Sequence, residues 1–176
     1  MHVRRPSHTL RSALLGAACA LLLGRGVAAQ PAVALSAQGV CMAAEALPHN
    51  ATVRGSTRGR PDLFHASCAE GALSGERVYR LDLAEDARVT LRVAADYDVA
   101  LYVRGVCADP SRELACVDDG EDSAHASLTL DLRAGSWWVV VDGYNDDNEG
   151  NFVLATEVLP RRSGTEAQRR RPPHGG

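Results

Sequence analysis

Residues 78–103 read VYRLDLAEDARVTLRVAADYDVALYV, and most of this stretch places an apolar side chain at every second position. Such alternation is typical of strands that bury one face and leave the other in water. The stretch therefore predicts three strands in succession. Their inward-facing residues are Tyr79, Leu81 and Leu83, then Val89, Leu91 and Val93, then Val99, Leu101 and Val103.

The same period of two continues along the chain. It returns in residues 114–116, 128–132, 137–141 and 152–156, and turns rich in Asp, Asn and Gly separate the runs. Roughly seven short strands at a spacing of about ten residues are the signature of an antiparallel sandwich or jelly roll. A parallel α/β fold would need crossover helices, for which the chain has no room. The sequence therefore predicts an all-β fold, an antiparallel β-sandwich of jelly-roll type, and it leaves a barrel open as the alternative.

The first 29 residues have the features of a secretory signal peptide. Arginines precede an apolar run over residues 12–23, and Val27-Ala28-Ala29 supplies the small residues that signal peptidase requires. An apolar run of about 12 residues is too short for a membrane-spanning helix, which needs about 20. We expect cleavage near Ala29, no stable membrane anchor, and a mature protein that is secreted or periplasmic.

The rest of the chain divides by composition. Residues 30–48 are Ala-rich and lead into the domain, which we place at residues 49–159. Residues 160–176 contain many arginines and no large apolar residue, so they predict a disordered tail. Between residues 30 and 160 the chain has ten arginines, no lysine and 21 acidic residues, which gives a formal charge of −11. This charge disfavours nucleic acid and anionic membranes as partners and favours cations.

Four cysteines remain after removal of the signal peptide, and an even number in an exported chain predicts two disulfides. Cys107 and Cys116 lie at the two ends of a turn-rich stretch, a spacing that suits a hairpin staple. This interpretation pairs Cys107 with Cys116 and leaves Cys41 to pair with Cys68. A zinc site is the rival interpretation, but the sequence contains no Cys-x-x-Cys pair.

Several short motifs resemble those of a known family. Residues 50–57 and 78–81 are similar to the opening of its members. Residues 96–104, DYDVALYVR, resemble the family's aspartate followed by a strand with a Leu-Tyr pair, and residues 116–120, CVDDG, are similar to the Cys-x-Asp-Asp turn that comes next.

The closing motifs follow in the same order. Residues 135–144, GSWWVVVDGY, and residues 150–154, GNFVL, resemble the last two strands of the bacterial pre-peptidase C-terminal domain family. The resemblance covers residues 40–158 and implies a jelly-roll β-sandwich. It also implies an accessory role beside a secreted protease or other hydrolase, binding of an insoluble or protein substrate, and calcium in some members. The family's best-known calcium site uses an N-terminal acidic segment, and residues 30–48 contain only Glu45, so that site is not carried over.

Acidic residues crowd two of the predicted loops, at 118–122 and 142–149. Calcium takes six to eight oxygen ligands, and loops rich in Asp and Asn supply them. Ordinary turn chemistry is the alternative, since Asp and Asn side chains also bond to turn backbones. The sequence thus predicts calcium as the one candidate cofactor. The candidate ligands are Asp118, Asp119, Asp122, Asp142, Asp146 and Asp147.

Two neighbouring tryptophans lie on one predicted strand, so their side chains point to opposite faces. Trp137 shares its face with Val139 and Val141, which predicts a place in the core. Trp138 then faces outward or toward a second layer. Beside Tyr144 it forms a candidate ligand-binding surface for a sugar or a protein.

Catalysis has little support in the sequence. Neither Gly-x-Ser-x-Gly nor His-Glu-x-x-His occurs, and the predicted disulfides consume the cysteines. We therefore expect a non-catalytic module that binds an extracellular protein, a polysaccharide or another envelope component. An accessory or chaperone-like protein for a secreted protease is the first alternative, and a small hydrolase that uses loop carboxylates is the second.

Overall fold

A computed structural model describes residues 35–69, 74–120 and 123–161. The predicted signal peptide, almost all of the predicted tail, and Asp122 of the candidate calcium ligands lie outside these residues. The described elements are a short helix α1 (Ala37–Met42), strands β1 (Glu45–Ala46), β2 (Ala51–Ser56), β3 (Arg77–Leu83), β4 (Ala87–Ala95), β5 (Val99–Arg104), β6 (Glu113–Asp118), β7 (His125–Leu132), β8 (Gly135–Gly143) and β9 (Asn151–Pro160), and a 3-10 turn at Pro110–Arg112.

The strands form two sheets. The five-stranded sheet has the order β1-β3-β8-β5-β6, and the four-stranded sheet has the order β2-β9-β4-β7. Apart from β1, the strands follow the order of a jelly roll: successive strands alternate between the two sheets except for β5 and β6, which pair in one sheet. Every pairing among them is antiparallel. Only the two-residue β1 is parallel to its neighbour among the described pairings. The predicted sandwich is confirmed, and the barrel alternative is wrong.

All seven predicted strands are present, whereas β1 and β2 were not individually predicted. Strand β2 reads ATVRGS and has one large apolar residue, Val53, so it lacks the alternation that identifies a strand. It forms because Val53 packs against the core and because β9 offers a complete row of pairing partners, from Thr156 to Asn151. Long-range pairing therefore decides the structure of β2 against its weak local pattern.

The main core lies between the two sheets and follows the predicted period. Along β4, for example, Val89, Leu91 and Val93 are buried, while Arg88 and Arg92 are exposed. Each fully buried aliphatic side chain of this kind contributes about 1.5–3 kcal/mol. The other buried members come mainly from β3, β5, β8 and β9, and they include Leu81, Val99, Leu101, Val103, Val139, Val141 and Leu154.

A second, smaller apolar cluster lies on the outer face of the five-stranded sheet. Val78, Ala100, Tyr102 and Val140 project from the strands, and Phe64 packs onto them from outside. The layer that covers them consists of α1 and residues 61–69, which we call the cover. A helix of six residues is not stable by itself in water, so its packing and its covalent links must hold it in place.

Two disulfides connect the cover to the sheet, and they correct the predicted pairing. Cys41 bonds to Cys107, and Cys68 bonds to Cys116, so the predicted pairs Cys41–Cys68 and Cys107–Cys116 are wrong. The reason is the register of the β5–β6 hairpin. Cys116 lies opposite Tyr102, whereas Cys107 lies beyond the end of β5, several residues farther along the hairpin. Two disulfides are typical of an oxidising compartment. Within the described residues, no helix has the length and apolarity needed to span a membrane.

Candidate functional site

A row of carboxyl groups crosses one end of the five-stranded sheet. Ala100 pairs with Asp142 on one side and with Asp118 on the other, and Glu76 directly precedes the part of β3 that pairs with Val141. Neighbouring strands are about 4.8 Å apart, so Glu76 and Asp142 lie side by side, and Asp118 lies one strand farther along the same row. The small side chain of Ala100 separates Asp142 from Asp118.

Burial changes the chemistry of two members of this row. Asp142 is fully buried and accepts hydrogen bonds from the Tyr102 hydroxyl (3.1 Å), the Ser74 hydroxyl (3.2 Å) and the Gly143 amide (2.8 Å). Burial raises the pKa of Asp142 to about 6, although these hydrogen bonds oppose the shift. Burial also raises the pKa of Glu76 to about 8, and the carboxylates of Asp142 and Asp62 add to that rise.

Glu76 also ties the cover to the sheet. Its two carboxyl oxygens lie 3.0 and 3.2 Å from the amide nitrogen of Leu63, which donates to them from the cover. At neutral pH the raised pKa keeps this carboxyl protonated. At neutral pH the Leu63 amide of the cover therefore donates to an uncharged glutamic acid, and Glu76 does not add a third negative charge beside Asp142 and Asp62.

We expect the stability of the protein to fall as the pH rises from about 4.5 to about 8. In the unfolded chain Glu76 has the ordinary pKa of 4.5, so over this range the folded state holds a proton that the unfolded state has lost. The full shift would correspond to nearly 5 kcal/mol, at about 1.4 kcal/mol for each pH unit. Solvent beside Glu76 screens part of the effect, and we expect about 3 kcal/mol. Urea unfolding at a series of pH values measures it.

The control for this prediction is Glu76→Gln, which keeps an acceptor for the Leu63 amide and removes the titration. The variant should have a flatter profile and should exceed the unsubstituted protein in stability at pH 8. A wild-type profile that stays level or rises between pH 4.5 and 8 would contradict the prediction.

The predicted calcium ligands do not form one site among the described residues. Asp142 is buried and its two oxygens accept hydrogen bonds, whereas Asp119, Asp146 and Asp147 are exposed. In the described ranges, no three His, Cys, Asp or Glu side chains are placed to hold one metal ion. Turn chemistry accounts for part of the second acidic loop, because the Asn145 side chain accepts a hydrogen bond from the Asp147 amide. Calcium binding stays a prediction.

The predicted ligand-binding aromatics Trp138 and Tyr144 are placed against the second apolar cluster. Both are partly buried there, and the Trp138 Nε1 atom is buried without a hydrogen-bond partner among the described residues. Trp138 therefore faces the second layer, which is one of the two orientations that the sequence predicted for it. Its role in ligand binding stays a prediction.

The other tryptophan lines an open groove. Trp137 packs one side against the main core, as its parity predicted, and its indole Nε1 donates to the Arg133 carbonyl (3.0 Å). Its position near the start of β8 places it at one end of the sandwich, where part of the ring stays accessible. A groove of about 410 Å³ lies beside it. The residues that line it are Gly105, Ser111, Arg112, Glu113, Leu114 and Trp137.

Gly105 and Leu114 give this groove its shape. A side-chain carbon on Gly105 would lie 3.5 Å from the Trp137 ring and 3.3 Å from a Leu114 methyl group, so glycine leaves that space open. The pairing of β5 with β6 shifts here, and Leu114 has no residue opposite it. It is 45% exposed, and nearby Val106 is 47% exposed. The sequence signals for this site are the glycine and the two apolar residues in an otherwise polar turn.

Hydrogen bonds and a disulfide fix the loop between β5 and β6 (residues 105–112), which we call the hairpin tip and which forms part of the groove. Arg104 is buried and donates hydrogen bonds to the carbonyls of His65 (2.6 Å) and Cys107 (3.5 Å). The Asp109 side chain caps the 3-10 turn by accepting from the Ser111 amide at 2.9 Å. With the Cys41–Cys107 disulfide, these bonds fix the loop that carries Val106 and Arg112. A fixed loop loses little conformational entropy when it binds a partner.

The described histidines do not build a catalytic group. His49 contacts the carbonyl of Asp82 at the edge of β3, His65 belongs to the cover, and His125 begins β7. They lie on three separate elements.

No protein-family model matches the chain, and a search of curated proteins finds no match. Among solved structures, the pre-peptidase C-terminal domain of a collagenase from Bacillus anthracis has a TM-score of 0.46 and 16% identity, over 65% of this chain and 94% of that domain. The structure resembles a pre-peptidase C-terminal domain. This is the family whose motifs the sequence resembles. A periplasmic inhibitor of g-type lysozyme from Aeromonas hydrophila has a TM-score of 0.42 and 14% identity, over 63% of this chain and 87% of the inhibitor.

Proposed function

We propose that this protein is a non-catalytic binding module of the periplasm or the extracellular space, and that it holds a protein partner at the Trp137 groove. The observation that carries the proposal is the composition of the groove and of the hairpin tip beside it. Trp137, the exposed Leu114 and the exposed Arg112 line one opening, and the exposed Val106 lies on the loop beside it. Tryptophan and arginine are the residues most enriched at binding hot spots.

A protein fits this mixed groove better than a polysaccharide because Leu114 and Trp137 provide apolar wall surface beside the charged side chain of Arg112. Leu114 and Val106 offer aliphatic surface but no hydrogen bonds, and the Trp137 indole nitrogen is already bonded to Arg133. Among the described residues Arg112 makes no ion pair within 4.0 Å, so its guanidinium is available to a carboxylate of the partner. Asp109 lies near it, and Arg112 contributes to the lowered pKa of that carboxyl.

The test compares two leucines of similar exposure. Leu114→Asp places a charge at the groove, and Leu159→Asp places the same charge on β9, where Leu159 is 53% exposed. The immobilised protein is mixed with the secreted and envelope proteins of the producing organism, and separately with its purified cell-wall polysaccharide. We expect retention of a protein that digestion with protease abolishes, and a loss of more than tenfold for Leu114→Asp but not for Leu159→Asp.

A second variant protects the test against a change in folding. Gly105→Ala adds one carbon over the Trp137 ring at an ordinary contact distance, and the neighbouring Leu114 methyl group can move. It should weaken binding while leaving the melting temperature almost unchanged. Equal effects of Leu114→Asp and Leu159→Asp, or retention by polysaccharide alone, would contradict the proposal.

One alternative partner has a specific argument behind it. The resemblance implies a neighbouring secreted protease or other hydrolase, for which this chain would act as an accessory or chaperone-like protein. The same groove serves that role if the protein captured in the experiment is itself a hydrolase. Addition of the purified module to that hydrolase, with the two leucine variants as controls, separates an effect on activity from binding alone.

A further inference from the structure

A second cavity lies beside α1 and shares no lining residue with the Trp137 groove. It has a volume of about 250 Å³ and opens between α1 and the start of β3. Val40 of α1, the residues Ala43 and Ala44 that directly follow the helix, Val78 and Pro61 all line it. These side chains are apolar, so the interior of the cavity suits a hydrocarbon group.

The rim of the cavity is cationic. Arg60 and Arg77 both line it, and Glu45 is the carboxylate that pairs with Arg77. Arg60 is exposed and makes no ion pair within 4.0 Å among the described residues. This leaves an excess of one positive charge on a domain whose overall charge is strongly negative.

The carboxyl group in the wall does not cancel that excess at neutral pH. Glu76 lines the cavity and is 3% exposed, and its raised pKa of about 8 keeps it protonated. The charged and titratable groups around it are Asp62 on the cover, Asp142 on β8 and Tyr102 on β5, together with the two arginines at the rim. An anion at the rim would therefore meet two guanidinium groups and one carboxylate.

We propose that this cavity binds a small aliphatic carboxylate, with its hydrocarbon chain between α1 and Val78 and its carboxylate at Arg60. The size sets the length of the chain. A water occupies about 30 Å³ of liquid, so the cavity has room for about eight heavy atoms, which is the size of a six-carbon acid. Arg60 provides planar donors that suit a carboxylate.

Such a carboxylate has two natural sources, a short fatty acid or the C-terminus of a peptide. Hexanoate represents the first. N-acetylleucine represents the second, with its leucine carbons and carboxylate, about eight heavy atoms, in the cavity and its acetyl amide outside the opening. Titration calorimetry of the whole mature protein at pH 6.5 with each compound tests the shared chemistry. Hexanamide has the same hydrocarbon chain without the negative charge, so it serves as the control ligand for the contribution of the carboxylate.

We expect hexanoate, N-acetylleucine or both to bind with one-to-one stoichiometry, and hexanamide to bind at least tenfold more weakly. Arg60→Gln should weaken carboxylate binding about tenfold. Arg58→Gln, which removes an exposed arginine two positions away, should leave it unchanged. Amide resonances of Gly39, Val40 and Ala44 should shift during a nuclear magnetic resonance titration with the bound acid.

Three results would overturn this inference. The first is the absence of saturable binding of either acid at concentrations up to about 10 mM, which is on the order of the weakest useful affinity. The second is equal binding of hexanoate and hexanamide, and the third is an equal effect of Arg60→Gln and Arg58→Gln on carboxylate binding. Leu114→Asp should have no effect on hexanoate, because the Trp137 groove is a separate surface. Failure of the unsubstituted protein to retain any protein partner, with intact hexanoate binding, would therefore count against the proposed function alone.

Discussion

Replacement of Cys41 and Cys107 together by alanine is expected to lower the free energy of unfolding by about 4 kcal/mol. The disulfide closes a loop of 66 residues, and without it the unfolded chain gains the freedom that the bond had removed. For a domain of this size the loss corresponds to a fall in melting temperature of about 15 °C. Calorimetry of the double variant beside the unsubstituted protein measures it.

The local consequence of this substitution is release of α1, while Cys68–Cys116 still holds residues 61–69 of the cover. The helix α1 has six residues and none of them is buried, so the bond to Cys107 is its strongest link to the sheet. Hydrogen exchange at the amides of Val40 and Ala43 should become fast, while β4 and β9 should stay protected and exchange faster only as the lower global stability requires. Fast exchange throughout the sandwich, or a melting temperature within about 3 °C of the original, would contradict this account.

The pairing itself has a direct chemical check. Arg112 lies between Cys107 and Cys116, and Arg54 and Arg58 lie between Cys41 and Cys68, so trypsin separates all four cysteines. A digest without reductant should contain the Cys41 peptide joined to the Cys107 peptide, and the Cys68 peptide joined to the Cys116 peptide. Any other pair would contradict the observed connectivity.

Substitution of Arg104 by alanine is expected to cost about 4 kcal/mol of stability, because it breaks a buried network around one charge. The guanidinium lies 5.0 Å from the Tyr102 ring centre and 5.4 Å from that of Phe64, and it is 3.7 Å from the Glu113 carboxylate. Its removal leaves a cavity under the cover, removes the ion pair of Glu113, whose carboxylate keeps its hydrogen bonds from Ser67, and removes the Arg104 hydrogen bond to the His65 carbonyl. Chemical denaturation of the variant measures the loss.

Arg80 provides the matched control for Arg104. Both arginines flank Trp138 in the register of the five-stranded sheet, one on β3 and the other on β5. Arg80 is exposed and pairs with the exposed Asp82, so Arg80→Ala should cost less than about 1 kcal/mol. Similar losses for the two variants would show that burial of Arg104 has no special importance.

The strands of the two sheets could be predicted because the alternation of apolar and polar residues that identifies a strand is a local property of the sequence. In β4 the alternation of Val89, Leu91 and Val93 with Arg88 and Arg92 fixes which face is buried before any partner strand is known. Strand β2 carries no such pattern, and only the edge of β9 makes it a strand. The sequence therefore predicts the sandwich and its central strands better than it predicts the edges.

The site could be predicted only in part, because it depends on distances between segments far apart in the chain. Glu76 and Asp142 are 66 positions apart, and the order of the strands, not a motif, makes them neighbours. The disulfides were mispaired for the same reason, since hairpin register separates Cys107 from Cys116. The alternating pattern of β8 correctly placed Trp137 on the inner face. Its partial exposure could not be predicted, because it depends on where the core between the two sheets ends.

The two layers each contain one indole, and this gives the molecule two separate optical reporters. The chain has two tryptophans, of which Trp137 packs against the sandwich and Trp138 packs against the cluster under the cover. In Trp137→Phe the remaining fluorescence should shift to longer wavelength when the cover detaches. In Trp138→Phe it should shift only when the sandwich itself unfolds. The pair of single-tryptophan proteins thus turns the layered architecture into a measurable sequence of unfolding events.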